Sequence, residues 1–406
     1  MAEYLIIGAG LAGASAAIAL REHNADARVT LIGAEDTPPY ERPPLSKGYL
    51  RGAVPFGKLL VRPATFYAEQ RIETMFGCRV EGIDSSRRTV SLDGGRQVPF
   101  DSLLIASGAT NRRAGIPGLD LDGIHSLRTV RDADRLRAQM QPGRKVVVVG
   151  MGFIGCEVTA SFRHEGLDVT AIEPGKTPLF RILGEAVGGT LSGLHESHGV
   201  RTLFNDTVEA FEGHRRVEAV VTKAGQRIPC DLAVVGVGVE PAVDFLDGSG
   251  VQLDNGIIVD DHCATSVAGI YAAGDVANHY HPVFQRHLRV EHWQNAMRQG
   301  ANAARNMLGQ RVAYDEIPWF WSDQYDANIQ YAGYHTASEE LIVRGRLDAG
   351  SYAAFYINRG VIDAVVGMNN AKDVRRAMPL IKARRPIDAA ALGDERVDLR
   401  SLLDPG

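Results

Sequence analysis

The sequence predicts an α/β protein: two Rossmann-like dinucleotide-binding domains, the second inserted into the first, and a C-terminal α+β domain. Three observations predict it. The pattern of apolar strand, Gly-x-Gly-x-x-Gly and helix is written twice, beginning at Tyr4 and again at Lys145. In each copy a second apolar strand follows and ends at or near an acid. From about residue 323 the phosphate-binding signals cease, and short alternating runs suggest an antiparallel sheet.

In the first copy Tyr4–Ile7 reads as a buried parallel strand, and the Ala-rich segment Ala14–Leu20 as the helix after the turn. Gly8 makes the tight turn, Gly10 lets the backbone approach a pyrophosphate, and Gly13 lets helix and strand pack closely. The helix N-terminus offers free N–H groups and partial positive charge to the phosphates. The next strand, Val29–Ile32, leads to Glu35, placed to hold a ribose hydroxyl.

The proline-rich run Pro38–Lys47 is expected to be stiff and extended. It carries Arg42 and Lys47, which suit a pyrophosphate and a reactive ring, or else are solvated loop cations. Residues 65–105 read as a helix followed by strands at Arg79–Ile83, Thr89–Leu92 and Ser102–Ile105, with a hairpin turn at Gly94–Gly95. Ala106, Ser107 and Gly108 are small enough for the chain to pass close to a cofactor. Ile116–Gly118 reads as a crossing between domains.

The second copy has the strand Lys145–Val149, then Gly150, Gly152, Ile154 and Gly155, with a helix from Cys156. Its second strand, Val169–Ile172, ends at Glu173. A carboxylate there accepts hydrogen bonds from ribose hydroxyls and repels a 2′-phosphate, so NADH is preferred over NADPH. Arg181 either stacks on adenine or is a solvated charge. The strand Leu232–Val235 leads to Gly236 and Gly238, another close approach. Two fingerprints imply two dinucleotides, and hydride transfer between them points to a flavin and a nicotinamide.

Gly256–Val259 and Gly269–Ala272 read as strands returning the chain to the first domain. Gly274 and Asp275 at the end of the latter suit a polyol such as the ribitol of FAD; the plainer alternative for Asp275 is a helix N-cap. Residues 290–308, with Trp293, have helical spacing, and Trp319–Phe320–Trp321 forms an aromatic cluster. Strands at Leu341–Arg344, Tyr352–Asn358 and Ile362–Val366 are followed by helical segments near Arg375–Arg384 and Leu399–Leu403. The expected domains are 1–110 with 243–320 for FAD, 111–242 for NAD, and 321–406.

The chain of 406 residues carries a net charge of −5, which argues against non-specific nucleic-acid binding. No apolar run is long enough to span a membrane. Met1 leads almost directly into the first strand, leaving no room for a signal peptide, so a cytoplasmic protein is expected. Four dispersed cysteines, Cys78, Cys156, Cys230 and Cys263, have no metal- or cluster-ligand spacing and are read as small buried hydrophobes.

The assembled residues resemble the FAD-dependent NADH:ferredoxin reductases of the putidaredoxin reductase and biphenyl dioxygenase reductase type, over essentially the whole chain. The resemblance rests on GAGLAG at 8–13, YERPPLSK at 40–47, ASGA at 106–109 and GMGFIGCE at 150–157. It continues through YAAGD at 271–275, RVEHWQNA at 289–296 and PWFWSDQY at 318–325. It implies a glutathione-reductase-like fold, with Arg42 and Lys47 along FAD and Lys47 close to the flavin ring. It also implies that Glu157 pairs with Lys47 beside the site of hydride transfer. Ala12, Val80, Arg128, Asp275 and Trp293 match FAD-contacting positions, and Trp321 matches an aromatic where the iron–sulfur partner docks. Family members often carry an acid where Ala34 stands, which leaves the ribose contact to Glu35.

The expected reaction passes hydride from NADH to FAD, aligned by binding. Lys47 favours negative charge on the reduced ring, and Glu157 holds Lys47. Single electrons then go to a small acidic [2Fe–2S] ferredoxin serving an oxygenase, with rubredoxin left open as acceptor. Arg286, Arg289, Lys382, Arg384 and Arg385 are candidate docking cations, or simply solvated charges. A disulfide reductase and an NADH oxidase need a reactive cysteine, and PPLSK has none. A redox-sensing effector flavoprotein lacks support from the acidic net charge.

Overall fold

The computed structural model describes residues 2–112, 114–336, 338 and 340–403. The chain divides into two compact units. One comprises the residues up to Glu41, Phe56–Thr110 and Val239–Pro318; the other comprises Arg42–Pro55, Asn111–Gly238 and the chain from Trp319.

The first unit is built on a parallel sheet ordered Ile270–Ala272, Ser102–Ile105, Glu3–Ile7, Arg28–Gly33, Ile72–Phe76. Both faces are buried, so the strands read as continuous apolar runs. Ile6, Leu31 and Leu104 face the helices Leu11–His23 and Trp293–Met307. Leu5, Ile7, Ile32 and Ile105 face a three-stranded antiparallel sheet through Ile83, Val90 and Leu92. The two helices cross closely because Gly300 has no side chain: a Cβ there would strike the carbonyl of Ala12. Gly94 and Gly95, at φ +77° and +80°, turn Thr89–Leu92 back into Gln97–Pro99.

The second unit repeats the parallel architecture in the order Arg201–Phe204, Asp168–Glu173, Lys145–Val149, Leu232–Val235, Ile124–His125. Its C-terminal part is an antiparallel sheet ordered Trp319–Gln324, Ala327–Gly333, Val361–Met368, Tyr352–Asn358, Glu340–Gly345. The helix Ala371–Ala383 covers it through Val374, Ala377 and Ile381, all buried. Arg344 pairs with Asp373 and donates to the carbonyls of Leu392, Asp394, Glu395 and Val397, which fastens the last segment to the sheet.

Several expectations need correction. Pro43–Ser46 is not extended but winds one 3-10 turn, because proline's fixed φ suits the first turn of a helix. The helix of the second fingerprint begins at Phe153, three residues before Cys156, directly on the glycine turn. The antiparallel sheet opens at Trp319 rather than near 323, so the aromatic cluster is itself strand. Asp275 caps no helix; the strand Ala277–His281 follows it. Leu399–Leu402 is 3-10. Sequence reading also passed over the strand Ile72–Phe76 and the helices Val130–Arg137 and Phe180–Ser197.

Candidate functional site

In the first unit the glycine turn is fixed by backbone contacts. Gly8 sits at φ +108°, donates to the carbonyl of Ile32 at 2.8 Å, and has no room for a Cβ against the carbonyl of Ala106. Gly13 packs on the carbonyl of Gly8. Gly10 differs: nothing lies within 4 Å of where its Cβ would be. It is also the N-cap of Leu11–His23, with no side-chain cap, so the first N–H groups of that helix are left to an anion.

Around this turn Ala12 and Ala106 are buried, and Gly108 takes φ +72°. Gly274, at φ +80°, donates its N–H to Gln299 Oε1 at 2.8 Å. Val80 begins its strand half-buried, and Trp293 begins its helix. Glu35 lies two residues past the strand end at Gly33 and accepts from Tyr40 Oη at 2.6 Å. Thr37 Oγ1 and Gln299 Nε2 are buried without a hydrogen-bond partner. An open cradle at Gly10, an uncapped helix N-terminus and orphaned polar atoms fit a large polar cofactor such as FAD.

The second unit repeats the turn. Gly150, at φ +91°, packs on the carbonyl of Gly236, and Gly155 on that of Gly150, while Gly152 faces open space. Gly238, at φ +100°, is likewise open. Both oxygens of Glu173 hold the loop, Oε2 accepting from Met151 N at 2.7 Å and Oε1 from Gly175 N at 2.8 Å. Ile154 is an exposed apolar side chain on the first helical turn, and Arg181 is exposed. This cradle fits a second dinucleotide.

One turn into the helix Phe153–His164 stands Glu157, 4% exposed. Lys47 Nζ lies 2.8 Å from its Oε2. Ser46 Oγ donates to the same oxygen at 2.5 Å, and Ser322 Oγ donates to Oε1 at 2.7 Å. A second tie holds the proline-rich turn, Ser161 Oγ donating to the carbonyl of Ser46 at 2.6 Å. Three donors satisfy the buried carboxylate, which fixes the Lys47 side chain in place. Nearby, Arg42 donates to the carbonyl of Arg128 at 2.5 Å, so these two also come together.

The family resemblance pointed to Lys47 and Glu157, whereas Ser46, Ser161 and Ser322 went unread. The available signal was Ser322 and Gln324 on the same face of a strand as buried Phe320, since polar residues at inward positions need partners. Of the proposed docking residues, Trp321 is half-buried and stacks on Trp319, with ring centroids 5.4 Å apart. Arg286, Lys382 and Arg385 are exposed. Arg289 lies 2.5 Å from Glu291 and Arg384 lies 2.8 Å from Asp363, each in an ion pair.

All four cysteines are free. Burial pushes the Cys230 thiol up to about 12 and those of Cys156 and Cys263 well above their ordinary range, which leaves no reactive thiolate among those three. Among the described residues no helix is long and apolar enough to cross a membrane.

Comparison with known proteins agrees with this geometry. The family model "pyridine nucleotide-disulphide oxidoreductase" matches residues 2–300, and "reductase C-terminal" matches 319–403. The chain is 40% identical to the ferredoxin–NAD(+) reductase component of the anthranilate 1,2-dioxygenase system of Burkholderia cepacia, over 98% of this chain and 99% of that one. It is 36% identical to rhodocoxin reductase of Rhodococcus erythropolis, over 98% and 93% of the two chains. Among solved structures, a covalent putidaredoxin reductase–putidaredoxin complex matches with a TM-score of 0.95 at 32% identity, covering 99% of this chain and 98% of that one. On the family models, the full-length identities and the fold, this chain belongs to the pyridine nucleotide-disulphide oxidoreductases, in the branch with the reductase C-terminal domain.

Proposed function

We propose that this chain is an FAD-dependent NADH:ferredoxin reductase, delivering electrons one at a time to a [2Fe–2S] ferredoxin that serves an oxygenase. The observation that carries the reading is the pair of open glycine cradles, one per unit, in a chain whose full-length relatives are named as ferredoxin reductases. When bound, FAD supplies the step from a two-electron donor to a one-electron acceptor.

The chain's own residues supply binding and charge. Gly8, Gly10 and Gly13 with the uncapped helix N-terminus take the FAD pyrophosphate, Gly274 and Asp275 take the ribitol, and Glu35 the ribose. Gly150, Gly152, Gly155 and Glu173 take NADH, and the carboxylate at Glu173 disfavours a 2′-phosphate. Lys47, held by Glu157 at 2.8 Å, places a fixed positive charge for the developing negative charge of the reduced ring. Trp321 and the exposed cations Arg286, Lys382 and Arg385 are the candidate contacts for an acidic partner.

The test is NADH-driven cytochrome c reduction by the purified yellow protein, with and without [2Fe–2S] ferredoxins, and with NADPH alongside. Strong stimulation by a ferredoxin, with NADH favoured, is expected. Stimulation by rubredoxin alone would replace the acceptor. NADH consumption indifferent to either carrier, ending in peroxide or water, would make the protein an oxidase.

A further inference from the structure

Glu157 is the end of a longer buried chain of hydrogen bonds. Ser322 Oγ, which donates to Glu157 Oε1, accepts from Gln324 Nε2 at 3.2 Å. Gln324 Oε1 lies 3.1 Å from His195 Nε2, and His195 Nδ1 lies 3.0 Å from Tyr325 Oη. His195, Ser322 and Gln324 are fully buried. Tyr325 is half-buried, and exposed His198 stacks on its ring at 3.6 Å.

The direction of every bond follows from the Glu157 end. A carboxylate only accepts, so Ser322 donates to it. The Ser322 oxygen then accepts from the Gln324 amide nitrogen, which turns the Gln324 carbonyl toward His195. His195 therefore carries its proton on Nε2, leaves Nδ1 bare, and accepts there from Tyr325. Burial pushes His195 down to about 4, which agrees with a neutral ring. The links come from a strand and a helix 129 residues apart, and Gln324, an amide, transmits orientation without carrying a proton.

We infer that His195, acting through Gln324 and Ser322, is a positioning residue that locks Glu157 and thereby the Lys47 ammonium into one geometry. The inference rests on the proposed role of the Lys47–Glu157 pair beside the flavin. Without the His195 donor, Gln324 is free to flip its amide, Ser322 loses its fixed orientation, and Glu157 keeps two of its three donors.

The test compares Ser322→Ala, His195→Leu, His195→Gln and Glu157→Gln in the flavin-loaded protein. The limiting rate of flavin reduction by NADH, the NADH half-saturation and the thermal midpoint are measured for each. Ser322→Ala and His195→Leu are expected to slow reduction about tenfold with half-saturation unchanged. His195→Gln, whose amide nitrogen can stand in for Nε2, should recover most of that loss. Independently of the flavin, ¹⁵N-histidine spectra, assigned by the His195→Gln protein, should show His195 as the Nε2–H tautomer.

Parent-like rates in Ser322→Ala and His195→Leu, alongside a slow Glu157→Gln, would overturn this inference alone, as would an Nδ1–H tautomer. A parent-like Glu157→Gln would overturn the proposed role of the pair and this inference with it. Should His195→Leu not fold, the His195 tautomer decides, since an Nδ1–H ring cannot donate to Gln324 and breaks the chain above Ser322.

Discussion

The two glycine turns have nearly the same backbone and put it to different use. Gly8 and Gly150 both take positive φ against a carbonyl from a neighbouring strand end, Gly13 and Gly155 both pack on the first glycine's carbonyl, and Gly10 and Gly152 both face open space. The difference begins two residues beyond the third glycine. In the first unit that position is Ser15, on an Ala-rich helix that packs against Trp293–Met307. In the second it is Glu157, which gathers Ser46, Lys47 and Ser322. The fingerprint sets how a phosphate is cradled; the helix that follows sets what else the unit does.

The largest effect should come from breaking the turns one at a time. Gly8→Val drives a Cβ into the carbonyl of Ala106 at a φ that branched residues avoid, at a cost of about 3 kcal/mol or more. The purified variant should be colourless, without flavin. Gly150→Val meets the carbonyl of Gly236 in the same way, yet it should keep its flavin spectrum while losing reduction by NADH. Flavin content and NADH titration read both; loss of flavin from Gly150→Val as well would erase the division of labour.

Acid should weaken both units through buried histidines. Burial pushes His279 in the first unit down to about 3 and His195 in the second down to about 4. Each ring is favoured neutral in the folded state, so its contribution is complete above the unfolded value near 6.5 and is lost as pH falls through the folded value. For His195 that is on the order of 3 kcal/mol between about pH 6.5 and 4. A thermal midpoint that is flat over this window would refute the assignment. His195→Gln should flatten only the share belonging to the second unit.

Next in size is Lys47→Gln, which leaves both cradles intact and removes only the cation that Glu157 of the second helix holds. Flavin reduction by NADH should fall about 30-fold or more, with flavin still bound. An unchanged rate would reduce the Lys47–Glu157 pair to a structural tie.

Both cradles were legible in the sequence because each depends on local signals: glycines at fixed spacing, an apolar strand before and a helix after. The Lys47–Glu157 pair was reachable only through resemblance, since nothing local links a proline-rich turn to a helix 110 residues on. The helix Phe180–Ser197 went unread because Gly184, Gly188, Gly189 and Gly193 weaken its helical signal; Gly188 is required there, as a Cβ would strike Thr177. Pro43–Ser46 was misread because proline excludes a helix interior but favours a first turn. His195 gave no signal, since its partners are 129 and 130 residues away.

The smallest and most discriminating effect concerns the two acids. Glu35 stands beyond its strand and accepts from the Tyr40 hydroxyl, whereas Glu173 ends its strand and accepts a backbone N–H with each oxygen. Gln at 35 keeps a carbonyl for the Tyr40 hydroxyl and an amide that can still hydrogen-bond a ribose hydroxyl, so Glu35→Gln should change flavin retention less than about threefold. Gln at 173 can satisfy either Met151 or Gly175 but turns an N–H toward the other, and it also removes the charge set against a 2′-phosphate. NADH half-saturation should therefore rise about tenfold while the preference over NADPH narrows. Relative kcat/KM for the two nucleotides measures it, and a parent-like ratio in Glu173→Gln would mean that the carboxylate shapes the loop without selecting the nucleotide.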